Sequence, residues 1–409
     1  MPRNNELKAK NIDKIFKEVP TARKVADGYI LDCGDAQFHI FGVHSQEELE
    51  GLKRNEIFYL PFCTKEEILR IRNQKTPSDY LLWLRAEAIA DCPRAVRVFR
   101  KRARQKKNWS LSSYYNDTYT YHNDYVSLAG KKFQERVAKI PAGMAFINEV
   151  NAMCINSQFG NVIVVNEALS YFLYYMNLAF FGPEIGLSGE DVSAALAIAV
   201  RIMLGSESMD FDLDPRGTPP TEIHEKITTY TNMQLMFVFG HEYSHHTLNH
   251  LVKGRLKEIS LNNISNVKST DCRINIYNYN YKKEYEADLQ AIKNIKNNNY
   301  VRSCLADSAF LLFIYFDILD HVYQLLAIRP AVSATHPKPL DRLWRLRRKL
   351  KDKIGATKEV IDSYIEVANN IKEILTNEWI PYRIEEIERY GSVYLPSYKG
   401  KILIDREDF

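Results

Sequence analysis

The chain has 409 residues, 45% hydrophobic and 26% charged, with 17 Gly and 15 Pro; this globular composition excludes collagen-like, coiled-coil and disordered classes and leaves room for two or three modest domains. Lys and Arg number 55 against 51 Asp and Glu, a formal charge of +4, too near balance for a molecule-wide field that gathers nucleic acid or anionic lipid. The six cysteines, Cys33, Cys63, Cys92, Cys154, Cys272 and Cys304, are scattered without a CxxC pair, so neither a disulfide framework nor a cysteine zinc ribbon is expected.

The first residues are polar and charged where an export signal is apolar. The most hydrophobic runs, residues 168–181 and 308–316, fall short of the roughly 20 residues that cross a bilayer. The expectation is a cytoplasmic protein with reduced thiols and no membrane partner, both runs being core helices. From the N-terminus, residues 28–31, 38–43 and 58–60 read as strands, 80–104 as a helix, and the Tyr- and Asn-rich stretch after it as loop. Residues 1–140 are thus expected to form an α+β accessory domain that would bind a regulatory trigger.

Within it, residues 94–107 carry eight basic side chains, among them Arg100, Lys101 and Arg102, followed by Trp109, Tyr114, Tyr115, Tyr119 and Tyr121. Such a set can contact phosphates and stack bases. It can equally be a solvated helix face, which the near-neutral total charge favours. A non-catalytic module that binds nucleic acid, with a structural metal or none, is therefore the alternative function. Residues 141–355 are dominated by helical periodicity, interrupted by a β-branched run at 161–165 and by Pro- and Gly-containing loops such as 214–220. Residues 356–409 read as one amphipathic helix around 359–375 and a tail with a packing role.

In residues 233–251 an apolar run leads into His241, Glu242, Tyr243, Ser244 and His245, an HExxH pattern on a helix. Residues four apart stand above one another on a helical face, so both imidazoles can reach one zinc ion at about 2.0 to 2.1 Å. Glu242, about 100° round the helix, can hold a water at the ion and take its proton while the ion polarises a scissile carbonyl. The competing reading, two hydrogen-bonded core histidines, is disfavoured because the apolar run would carry unpaired polar groups into the interior. Leu248 and Leu251 stand where a metzincin has Gly and His, which excludes that class. On a continuing helix His246 and His250 point away from the ion and are expected at the surface or behind the ligands.

The third ligand is expected in residues 282–292, KKEYEADLQAI, where Glu284 and Asp288 share a helical face. Glu284 completes three protein ligands and leaves the fourth position to water; Asp288 can accept a hydrogen bond from a ligating histidine. Glu286 is the chief competitor in register. The expected cofactor is one zinc ion per chain.

HExxH followed by ExxAD on a later helix resembles the gluzincin zinc metallopeptidases. Asn151-Ala152, then Gly160 and NVIVVNEALSYF, resemble a segment in one group of these enzymes, where an Asn-Ala pair and an edge strand precede a helix below the metal. The resemblance implies that Asn151, Ala152, Val162 and Val164 hold an extended peptide substrate. Taken alone, residues 162–165 are either a strand able to pair with a substrate backbone or a buried central strand. THPKPLDR at 335–342 is similar to that group's His-Pro turn with an arginine six residues later, implying that His336 and Arg342 donate to the oxyanion of the tetrahedral intermediate. The sequence departs from the group in Ser244, which stands where Gly is usual, in the long stretch at 184–233, and in lacking membrane spans. A soluble member with an added N-terminal domain resembles the bacterial phage-exclusion peptidases, which cut a host translation factor on infection. The resemblance implies a mainly helical α+β fold with a zincin-like core and a small edge-strand sheet, acting as a zinc endopeptidase on a protein or peptide, in phage defence.

Overall fold

A computed structural model describes residues 19–25, 28–34, 36–41, 46–90, 92–251, 256–260, 273–277, 280–327, 336–350, 354–381 and 392–400. Strands β1 (Ala22–Val25), β2 (Gly28–Asp32) and β3 (Gln37–Phe41) form an antiparallel meander, followed by the single turn α1 (Gln46–Leu49). Residues 42 and 43 of the expected second strand lie outside the described residues. The strand expected at 58–60 is instead the end of a 3-10 helix, Arg54–Tyr59. Glu56 tightens that turn by accepting from the backbone N–H of Lys53 at 2.7 Å and from Arg72 Nε at 2.7 Å.

Helix α2 (Lys65–Arg72) begins in a capping box made by Thr64 and Glu67. The single helix expected over 80–104 is two, α3 (Pro77–Ala90) and α4 (Pro93–Arg104). Pro93 forces Cys92 into extended backbone and then opens the second helix, where its missing N–H costs nothing. The stretch read as loop folds into α5 (Leu111–Thr118), α6 (Tyr121–Leu128) and α7 (Lys131–Val137). Tyr114, Tyr115 and Tyr125 are buried there, and burying three large rings overrides weak helix propensity. The aromatic side chains considered as base-stacking platforms are therefore largely interior, and Arg102 is buried in an ion pair with Glu167 at 3.0 Å.

A second sheet contains β4 (Ala142–Ala145), β5 (Ala152–Ser157), β6 (Gly160–Asn166), β7 (Leu256–Ser260) and β8 (Arg273–Tyr277) in the order β4-β6-β5-β8-β7. β6 runs parallel to β4 and antiparallel to β5, so it is an inner strand, not the edge strand expected. Its side chains alternate: Val162 and Val164 enter a cluster with Leu81 and Leu84 of α3, whereas Ile163 and Val165 join the main helical core. Val162 and Val164 are 0% exposed; Val164 is paired with both β4 and β5 and Val162 with Ile155 of β5, so neither side chain is open to a bound peptide.

The remaining helices are α8 (Glu167–Phe181), α9 (Gly189–Met203), α10 (Thr221–Thr247), α11 (Tyr281–Lys293), α12 (Asn299–Leu325), α13 (Pro339–Leu350) and α14 (Lys358–Ile374). Side chains of Ser188, Asn280, Asn298 and Thr357 cap α9, α11, α12 and α14. The two apolar runs lie in α8 and α12, and no helix among the described residues is long and apolar enough to cross a membrane. α10 is the central element, packed against α6, α7, α8, α11, α12 and strands β5 and β6. One hydrophobic core extends from Phe62 to Leu395. The result is a mainly helical α+β fold with small sheets.

Candidate metal centre

Surrounded on so many sides, the second half of α10 is buried continuously from Gln234 to His245. Gly240 permits this: a Cβ there would overlap the Tyr125 ring of α6. The Tyr125 hydroxyl donates to the carbonyl of Ala291 at 2.7 Å and accepts from Asn294 Nδ2 at 3.1 Å. Asn294 Nδ2 also donates to Ser244 Oγ at 3.2 Å. These bonds fix the register of α11 against α10, with Glu284 facing the two histidines.

His241, His245 and Glu284 are all buried, and their donor atoms lie within 4.8 Å of one another. The two Nε2 atoms are 3.0 Å apart; Glu284 Oε2 is 3.6 Å from His241 Nε2, and Oε1 is 3.4 Å from His245 Nε2. A tetrahedral ion with ligands at 2.0 to 2.1 Å separates neighbouring donors by about 3.3 Å, so the set fits one small divalent ion. Glu284 Oε1 is buried without a hydrogen-bond partner among the described residues, consistent with a lone pair kept for a metal.

Outer partners fix the imidazole protons. Asp288 is an ionised acceptor 2.8 Å from His241 Nδ1, so that nitrogen carries the proton and Nε2 is bare when the ring is neutral. His250 Nε2 faces the Glu286 carboxylate at 3.2 Å and must donate; its Nδ1, 3.0 Å from His245 Nδ1, therefore accepts. His245 is protonated on Nδ1 by the same logic, and its Nε2 also turns bare toward the site. Two bare lone pairs at that separation require a proton or a cation between them.

The electrostatics agree. Burial alone disfavours a charged His241, but Asp288 and Glu284 outweigh it and push the pKa up to about 10. Burial pulls His245 down to about 3 against the pull of Glu284. Burial also opposes ionisation of Glu284, yet His336, His241 and His245 together hold its pKa well below the ordinary carboxylate value.

His250 reaches this position because α10 ends sooner than a continuous helical wheel implies. Asn249 adopts φ 56, its N–H bonds to the carbonyl of His246, and the N–H of His250 bonds to that of His245. This is a Schellman motif with Asn as the left-handed residue, and it folds His250 back against His245. The sequence signal was the Leu-Asn-His string at 248–250, after the HExxH. Glu286, the competitor in register, contacts His250 and is not in the ligand set.

Glu242 lies in the wall of a groove of about 160 Å³ that Asn151, Ala152, Val238, His241, His336 and Arg342 also line. Its Oε2 is buried without a partner. Burial first, then the Glu284 charge, raises its pKa, with His241, His336 and Arg342 opposing. His336 Nδ1 is 2.8 Å from Glu284 Oε2. Arg342 donates to Asp288 through Nε at 2.9 Å and Nη2 at 2.6 Å and lies over the Phe313 ring. The residues expected to donate to an oxyanion thus touch Glu284 and Asp288. The structure brings together every expected site residue except Val162 and Val164. Compared with family models, curated proteins and solved structures, the chain matches none.

Proposed function

We propose that the protein is a zinc-dependent endopeptidase in which His241, His245 and Glu284 hold the ion and Glu242 is the general base. The observation that carries this reading is that Glu242 Oε2, buried and without a hydrogen-bond partner among the described residues, lies in the same groove as His241. A zinc ion bound there supplies Lewis acidity, lowering the pKa of water and polarising a carbonyl. Glu242, with its raised pKa, takes the proton of the attacking water and returns it to the leaving amine. Asp288 keeps His241 in the tautomer that offers Nε2, and Arg342 holds Asp288 ionised. Asn151 and Ala152 line the groove where a substrate backbone would run; β6 lies beneath as support. His336 and Arg342, on the same wall, are the groups placed to stabilise negative charge on a carbonyl oxygen.

Elemental mass spectrometry on the purified chain, after removal of loosely held metal, should find about one zinc per chain, much less in Glu284→Ala, and an unchanged amount in Glu242→Gln. A randomised peptide library should be cut by the wild type and not by Glu242→Gln. Equal zinc in wild type and Glu284→Ala would move the third ligand elsewhere, and cleavage surviving in Glu242→Gln would remove the general base from the mechanism.

A further inference from the structure

We infer that the cavity between α3, α6 and α7 is a binding site for a small, partly apolar molecule that bears an oxyanion, either phosphate or carboxylate. The cavity holds about 390 Å³, within the range of small-molecule sites. Arg85, only 4% exposed, lines it. Its Nε donates to the carbonyl of Met144 at 2.8 Å, its guanidinium lies 4.2 Å from the Tyr115 ring centroid, and Gly143 leaves room for Nη2, which a Cβ would overlap. The group is rigidly held but not neutralised: among the described residues, no carboxylate lies within ion-pairing distance of it.

Arg102, Arg201, Arg216 and Arg342 are buried likewise, and each faces a carboxylate, as the cost of burying an unpaired charge requires. The acids nearest Arg85 are committed. Glu167 is bonded to Arg102, Tyr115 and Tyr119, and Glu67 to the amides of Leu111 and Ser112. Beside Arg85, His122 lines the same cavity with Nδ1 buried and unpartnered. A fixed cation and a ring nitrogen without a partner among the described residues, side by side in one cavity, form a receptor for an anion.

The rest of the wall specifies what carries the charge. Exposed Asn116 and Asn123 stand at the mouth, whereas Leu82, Val126 and Ile140 offer apolar surface, so the ligand has one charged end and an apolar body. Tyr243, inside the HExxH segment, also lines the cavity and stands about 200° round α10 from His241. An occupant would touch the metal-bearing helix without reaching the metal ligands.

The test is calorimetric titration of the full chain with AMP, inorganic phosphate and benzoate. AMP or benzoate should bind one per chain, with AMP alone identifying a phosphate ligand and benzoate alone a carboxylate; inorganic phosphate should bind more weakly than AMP. Arg85→Gln should weaken binding about tenfold or more. Asn123→Asp, at the exposed mouth, disturbs no buried contact and should weaken binding severalfold by repulsion. Glu284→Ala should leave it unchanged, separating this site from the metal centre. Absence of binding for both AMP and benzoate at millimolar concentration, or affinity unaltered in both Asn123→Asp and a folded Arg85→Gln, would overturn the assignment.

Discussion

His245 receives its tautomer from His250, five positions on, and His241 receives its own from Asp288 on another helix. Single side chains therefore decide whether two imidazoles present lone pairs or protons to the same point. Asp288→Ala is expected to weaken zinc binding by about 10- to 100-fold, the usual effect of removing such an outer partner. It also leaves Arg342 without its bidentate acceptor. Competition with a fluorescent zinc chelator measures the change, and an affinity within twofold of wild type would deny Asp288 its orienting role. Asp288 was legible because it falls four residues after Glu284; for His250 the sequence left open a place at the surface or behind the ligands, because its position depends on where the helix ends.

Among the elements, α10 and its contact with α6 control the site. Gly240 lets the Tyr125 ring sit against the helix backbone, and Tyr125 in turn holds α11 through Ala291 and Asn294. Gly240→Ala gains helix propensity, worth about 1 kcal/mol, but overlaps the ring and should lose roughly 1–3 kcal/mol or more by overpacking. A net fall in stability on urea unfolding is expected, together with weaker zinc binding as α11 is displaced. A more stable variant would show that α6 yields readily. Pro93 illustrates the opposite situation: a local rule, visible in the sequence, splits one apolar run into α3 and α4.

Across the whole molecule, the N-terminal helices are locked by buried charge to the core that carries His241, His245 and Glu284. Arg102 of α4 forks onto Glu167 at the start of α8 and also bonds Asp212, while Tyr115 and Tyr119 complete the Glu167 carboxylate. Arg102→Met leaves Glu167 buried without its cation and should cost about 3–5 kcal/mol, whereas the double variant with Glu167→Gln should recover part of that loss. Urea unfolding of both single variants and the double variant completes the cycle; a double loss equal to the sum of the two single losses would mean that the pair is not coupled.

Residue order alone was enough to read the HExxH helix, the Glu284 and Asp288 face, and the helical character of the apolar runs at 168–181 and 308–316. Each of these follows from spacing along one helix, a period the backbone imposes locally. Contacts between distant segments were needed to establish that residues 162–165 lie inside the sheet, that the tyrosine-rich stretch is helical, and that His250 folds back on His245. Strand order, burial of rings and the left-handed turn at Asn249 depend on which surfaces meet, and residues distant in sequence supply those surfaces. Arg85, which has no carboxylate partner among the described residues, belongs to the same category: a guanidinium shows no lack of a counter-ion until the chain has closed around it.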